Sequence, residues 1–235
     1  MTTMTPALAD AVWGAIDDQR TRTADLLDRL PAERWDHPSL CQGWTVRHVA
    51  AHLTLQQQAL RDVAAFIAHH PRMLRSVTLN ATIHDSAVLQ AQLLSNQEII
   101  ARIRAMIGSR RHNAFVTPLE TLTDILVHGQ DIARPLGLDL TMSPAASELA
   151  ATRRWDTRGT WLALVNRRLP LDGYRLVATD TRWTRGQGAD VAGPIGALVL
   201  LLTGRDAALE QLTGDGADDL RSRPGVVRPR PAEST

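Results

Sequence analysis

The sequence predicts a mainly α protein: an antiparallel four-helix bundle over residues 1–140, then a small α+β domain over residues 141–220. Three observations support this. Before Gly137, apolar residues recur at helical spacing in four long segments with no convincing strand between them. After Gly137 the long stripes give way to short, glycine-punctuated stretches with partial alternation. From Arg221 to Thr235 the chain is rich in Pro and Arg and is expected to be a disordered tail.

The first helix is expected over about Pro6 to Leu30, with Thr5 as N-cap and Pro6 at the first helical position. Leu8, Val12, Ile16, Leu26, Leu27 and Leu30 form its stripe, and Pro31 closes it. A polar connector leads to Gly43-Trp44, and Thr45 is the expected N-cap of a second helix over about Val46 to His69. Its stripe, Val49, His52, Leu53, Gln56, Leu60, Val63, Ala64 and Ile67, places His52 on the core side. A link reaches about Asn80, and a third helix follows over about Asp85 to Ile107, with Gly108 after its last turn. The fourth helix opens at Thr117-Pro118 and ends near Pro135-Leu136-Gly137. In the second domain, Ala145 to Val165 is one helix or two short ones. Tyr174 to Trp183 is a candidate strand, Gly186-Gln187-Gly188 a turn and Ala189 to Ala192 a second strand. An apolar helix over Pro194 to Leu202, a short helix over Asp206 to Leu212 and a turn at Gly214-Asp215-Gly216 complete it.

Composition excludes several function classes. With 26 basic and 25 acidic residues the net charge is +1, so there is no electrostatic footprint for nucleic acid or an anionic membrane surface. Every basic residue is Arg, which excludes Schiff-base chemistry on a lysine. Cys41 is the sole cysteine, so neither an intrachain disulfide nor a cluster of thiolates around a metal is available. A reducing, cytoplasmic setting is the default expectation. Met1 to Ala11 lacks the charge and apolar core of a signal peptide, and Val191 to Leu202 is too short and too broken by Gly and Pro to span a bilayer.

The chemistry concentrates in the fourth helix. Asp124, His128 and Asp131 fall at i, i+4 and i+7, on one face of a helix that Leu122, Ile125, Leu126, Val127 and Ile132 make largely apolar. A carboxylate or imidazole buried there needs a hydrogen bond, an ion pair or a metal. Asp124 and His128 can reach one ion, and His52 on a neighbouring helix supplies a third ligand. Two imidazoles, one carboxylate and an open position make the ligand set of a catalytic zinc site, and Ni²⁺, Fe²⁺ or Mn²⁺ also accept it. The bland alternative for His52 is a hydrogen-bonded core histidine. His48, one turn earlier, offers an His-x-x-x-His pair as a second metal option. Asp131 is placed to orient a ligand or to act as a general base. Glu120 reads as a first-turn acid favoured by the helix dipole, Cys41 as a small buried hydrophobe, and Gly186-Gln187-Gly188 lacks the context of a dinucleotide loop.

Two stretches resemble a known family. Leu40-Cys41-Gln42-Gly43-Trp44-Thr45-Val46-Arg47-His48-Val49-Ala50-Ala51-His52-Leu53 resembles the second-helix signature of the mycothiol-dependent maleylpyruvate isomerase family, within the wider DinB-like superfamily. Leu126-Val127-His128-Gly129-Gln130-Asp131-Ile132-Ala133-Arg134-Pro135-Leu136-Gly137 resembles its fourth-helix signature. Gly193-Pro194 through Leu202-Thr203-Gly204-Arg205 and Leu212-Thr213-Gly214-Asp215-Gly216 resemble its C-terminal domain.

The resemblance implies a DinB-like metal-binding bundle followed by a small sterol-carrier-like domain. It maps metal ligands onto His52, Asp124 and His128, the aspartate after the histidine onto Asp131, and a functional arginine of the second domain onto Arg205. The characterised isomerase has Glu where this chain has Asp124, one methylene shorter. A divalent metal, zinc first, and mycothiol as thiol cosubstrate are therefore expected, acting in isomerisation or thiol transfer on a small electrophile that can carry a carboxylate. The competing expectation is a non-enzymatic protein that binds a small molecule or lipid and keeps a structural or vestigial metal site. Either is expected to act as a monomer or homodimer, away from nucleic acid and membranes.

Overall fold

The computed structural model describes residues 4–58, 79–114, 116–158 and 171–223. The chain is mostly helical with one small sheet toward its C-terminal end, and it divides into two compact units, Met1–Thr141 and Met142–Thr235.

In the first unit, α1 spans Pro6–Asp28, with the Thr5 hydroxyl accepting from Leu8 N at 3.3 Å. Val12, Ile16, Arg20, Thr23 and Leu27 share its buried side. A short 3₁₀ turn, Ala32–Asp36, buries Trp35. Helix α2 spans only Val46–Leu53. The longer helix expected here stops because the Thr54 hydroxyl donates to Ala51 O at 2.7 Å, while Thr54 N and Leu55 N bond the carbonyls three residues back and tighten the chain. Residues 59–78, which would hold the rest of that helix and the following link, lie outside the described residues.

The third expected helix is two: α3, Leu79–Leu93, and α4, Asn96–Ala105. The break is a capping box. Ser95 Oγ accepts from Glu98 N at 3.2 Å, and Glu98 Oε2 accepts from Ser95 N at 2.7 Å. The sequence Ser95-Asn96-Gln97-Glu98 carries that signal openly. Helix α5, Pro118–Ala133, starts the same way at Thr117, with Glu120 Oε2 accepting from Thr117 N at 2.8 Å. Helix α1 packs on α4 and α5, and α2 packs on α3, α4 and α5. Between them Leu27, Val46, Val49, Leu53, Ile99, Ile103, Ile125 and Ile132 form the core. Burial of each such side chain contributes about 1.5–3 kcal/mol.

In the second unit, α6 spans Pro144–Thr157. Strand β1, Tyr174–Ala178, lies between β2, Thr184–Gly186, and β3, Ala189–Gly193. It pairs antiparallel with β2 and parallel with β3. The single strand expected to Trp183 therefore ends at Ala178 and returns as β2. Tyr174, Leu176 and Ala178 are its buried positions, as the alternation implies. Gly188 (φ +117°) turns between β2 and β3 where any Cβ would meet the Gly173 carbonyl, so these glycines serve a turn. Helix α7, Ile195–Leu202, packs on α6. Its first free amide, Ile195 N, donates to Asp180 Oδ1 at 2.8 Å, a carboxylate just past β1. The next short element is the 3₁₀ helix Asp206–Gln211. The expected turn at Gly214–Gly216 is instead the start of α8, Asp215–Ser222, which buries Leu220 and lets Arg221 donate to Leu209 O at 2.9 Å. The helix thus crosses the position where the sequence places the start of a tail; residues 224–235 lie outside the described residues. Among the described residues no helix is long and apolar enough to cross a membrane.

Candidate metal centre

The Thr117 cap and the run of apolar residues after it set the rotation of α5. From Thr121 to Ala133 every residue is buried except Asp124 and His128, which are half-buried. These two positions, one turn apart, form an opening in an otherwise sealed helix. His52, in the last turn of α2, faces it.

Asp124 Oδ1 lies 3.5 Å from His52 Nε2 and 3.4 Å from His128 Nε2, and the three ligand atoms are all within 4.8 Å of one another. These separations are long for hydrogen bonds. They match the edges of a tetrahedral site, where bonds of about 2.0–2.1 Å put neighbouring ligand atoms about 3.3 Å apart. The imidazole rings meet edge to face at 4.8 Å, and the buried Trp44 ring covers them at 5.4 Å from His52 and 6.3 Å from His128. The donor set and its spacing fit a divalent ion.

The other side of His128 is different. Nδ1–H donates to Asp131 Oδ2 at 2.8 Å, and Asp131 is fully buried. This bond fixes one ring proton on Nδ1 and aims Nε2 at Asp124 and His52. Cys41 Sγ donates to the same Asp131 oxygen at 3.1 Å and lies 3.7 Å from His128 Nδ1. Cys41, His128 and Asp131 are a second group of close donors, but 2.8 and 3.1 Å are hydrogen-bond lengths, shorter than ligand edges around one ion. The loop carrying Cys41 is fastened to α5 by Leu40 N donating to Asp131 O at 3.1 Å.

The second oxygen of Asp124 is also taken, since Gln56 Nε2 donates to Oδ2 at 2.7 Å. Gln56 Oε1 in turn accepts from Arg20 Nη2 at 3.2 Å, and Arg20 Nη1 donates to Met106 O at 2.9 Å. Burial raises the carboxyl of Asp124, but the facing His128 and His52 outweigh it and hold it well below the usual range. Burial lowers His128, yet Asp124, with Cys41 and Asp131, holds it well above the ordinary imidazole value. For Arg20 the largest influence is burial, which lowers its value against the pull of Asp17 and Asp124.

The structure therefore gathers His52, Asp124, His128 and Asp131 as the spacing implies. His48 does not join them. Its Nδ1 accepts from Thr45 N at 3.1 Å and closes the α2 cap, a role that needs the neutral ring; burial, His84 and Arg47 lower its pKa accordingly. Arg205 lies in the second unit, where Nη1 donates to Thr203 O at 2.7 Å. Sequence reasoning placed Gln56 on the stripe without a role, did not single out Arg20, and read Cys41 as a small buried hydrophobe, where the structure has it half-buried and donating to Asp131. Gln56 carried a signal, a polar residue one turn after His52 on an apolar stripe. So did Arg20, which interrupts the Ile16–Leu27 face of α1. Cys41 had none, because its partner is 90 positions away.

Comparison with known proteins identifies a family and a similar fold. The family described as mycothiol maleylpyruvate isomerase N-terminal domain matches residues 16–133, half of the chain, including every residue of the trio. The crystal structure of the mycothiol-dependent maleylpyruvate isomerase is similar in fold, with a TM-score of 0.57 at 16% identity, covering 92% of this chain and 97% of that one. A histidine-to-alanine mutant of the mycothiol-dependent maleylpyruvate isomerase gives 0.55 at 14% identity with the same coverage. No curated protein matches the sequence.

Proposed function

The chain belongs to the mycothiol-dependent maleylpyruvate isomerase family, and on that footing we propose that it is a divalent-metal-dependent enzyme using a low-molecular-weight thiol, mycothiol first among them. The observation that carries the reading is the convergence of His52 Nε2, His128 Nε2 and Asp124 Oδ1 at the spacing of ligands around one ion.

When bound, the ion, zinc first among the candidates, supplies a Lewis acid that favours the thiolate of a coordinated thiol at neutral pH. His52, Asp124 and His128 hold it. Asp131 is buried and touches His128 Nδ1, so it acts through that ring as a positioning residue, holding a proton on Nδ1 so that Nε2 is the nitrogen turned to the ion. Arg205 is the residue we assign to a substrate carboxylate, because a guanidinium grips both oxygens of that group; the family resemblance supports the choice. The substrate such a site suits carries a carbon–carbon double bond conjugated to a carbonyl. Reversible addition of sulfur there permits rotation about the former double bond, and elimination returns the thiol unchanged, which is isomerisation. Release of the protonated adduct instead is thiol transfer. A reducing cytoplasm is the setting in which such a thiol and the single Cys41 both persist.

The test is elemental analysis and thiol-dependent turnover of His128→Ala beside the wild-type protein. Loss of both is expected. Retention of both at wild-type level removes the reading, and a stable wild-type protein without metal that takes up an apolar ligand returns it to a binding protein.

A further inference from the structure

We propose that Gln56, held in place by Arg20, is a positioning residue that makes Asp124 offer a single oxygen to the metal. The inference rests on the metal reading above and extends it to two residues outside the ligand set.

A guanidinium only donates and an ionised carboxylate only accepts. The amide between them therefore has one satisfying orientation: Oε1 toward Arg20 Nη2, at 3.2 Å, and Nε2 toward Asp124 Oδ2, at 2.7 Å. Arg20 is itself immobilised. It is fully buried, its other terminal nitrogen donates to Met106 O at 2.9 Å, and Asp17 lies 3.7 Å away. A buried arginine is costly to maintain without a purpose for its charge and geometry. Gln56 is 4% exposed and sits one turn past His52, so the segment that delivers one ligand also delivers the clamp on another.

The consequence is chemical. With Oδ2 occupied, Asp124 binds through Oδ1 alone, which keeps the protein donor atoms at three and suits a small tetrahedral ion. With Oδ2 released, the carboxylate can chelate with both oxygens, a mode that raises the coordination number and favours larger, oxygen-preferring ions such as Mn²⁺. The relay thus selects among metals as well as strengthening binding.

The experiment measures Zn²⁺ and Mn²⁺ affinity by competition with a chromophoric chelator for wild-type, Gln56→Met, Arg20→Met and the double variant, with a thermal melt of each chelator-treated protein as the folding control. Gln56→Met is expected to bind Zn²⁺ roughly 10–100-fold more weakly and to lose part of its preference for Zn²⁺ over Mn²⁺. Arg20→Met is expected to weaken Zn²⁺ binding less, and to add nothing in the Gln56→Met background, because it acts through Gln56. Wild-type Zn²⁺ affinity and wild-type metal preference in Gln56→Met overturn the proposal, and equal effects of Arg20→Met in both backgrounds overturn the relay. If Arg20→Met does not fold, the Gln56→Met arm alone decides. A wild-type protein that binds neither ion overturns the metal reading itself, an outcome distinct from a wild-type protein that binds Zn²⁺ and a Gln56→Met protein that binds it equally well.

Discussion

The two sides of the His128 ring present similar residue types and do different things. On the Nε2 side, the half-buried Asp124 carboxylate stands 3.4 Å from the ring nitrogen and 3.5 Å from the second imidazole, His52, at the spacing of metal ligands. On the Nδ1 side, a carboxylate at 2.8 Å and a thiol at 3.1 Å from it are joined by ordinary hydrogen bonds, with Asp131 wholly buried. Residue type alone does not separate these groups, since Cys, His and Asp are all metal ligands. Distance and access do. Donors joined at hydrogen-bond length have satisfied their burial and hold a shape; donors paired only at longer separations around a common point leave that point for something else.

The largest effect that sharpens the comparison is on metal affinity. Removing a donor from the Nε2 side, His52→Ala, is expected to abolish stoichiometric Zn²⁺ binding. Removing the charge on the Nδ1 side, Asp131→Asn, is expected to weaken it about 10–100-fold while leaving one ion per chain. Titration calorimetry of both variants checks this, and equal losses would mean that the two sides are not distinct.

An intermediate effect lies in the pH dependence of stability. The carboxyl of Asp124 is depressed, so its contribution is present above the unfolded value of about 3.9 and is lost as pH falls through the folded one. The imidazole of His128 is raised, so its contribution is complete below about 6.5 and is lost as pH rises through the folded value. For protein treated with a chelator, the difference in melting temperature between wild type and Asp124→Asn is therefore expected to be largest at about pH 4–6.5 and to shrink on the alkaline side. Zn²⁺ affinity is expected to rise over that same alkaline range, because the ion displaces the proton from His128. A difference that stays flat from acid to alkaline pH would separate the pair from stability altogether.

Much of this site was legible in local spacing, and the reasons are physical. Asp124, His128 and Asp131 lie within two turns of one helix, where the period alone aligns them. His52 sits on a stripe that the same period aims inward. The bundle and the small sheet follow from patterns that repeat over many residues, and the caps at Thr5, Thr45 and Thr117 are local too. The break at Thr54 was obscured because apolar residues continue past it, whereas the capping-box residues Ser95 and Glu98 spell out the second break even though the apolar stripe runs on through it. The partners of Arg20 and Cys41 were out of reach for another reason. The roles of both residues depend on Gln56 and Asp131, which are 36 and 90 positions distant, and only the packed bundle brings those pairs together.

The smallest effect belongs to Cys41, and it probes the Nδ1 side most directly. A thiol is a weak donor, and its bond to Asp131 only adds to a carboxylate already fixed by His128 Nδ1–H. Cys41→Ala is therefore expected to cost about 1 kcal/mol or less, at most a factor of about five in Zn²⁺ affinity. Cys41→Ser, which keeps a donor near the same oxygen, is expected to recover most of that. If the sulfur were instead a ligand, Cys41→Ala would lower affinity as far as His52→Ala does, and the Co²⁺-loaded wild-type protein would show a thiolate-to-metal charge-transfer band that Cys41→Ala lacks. Absence of that band, together with the small affinity change, places Cys41 with the hydrogen-bonded scaffold behind His128 and leaves the Nε2 side as the face proposed for the metal.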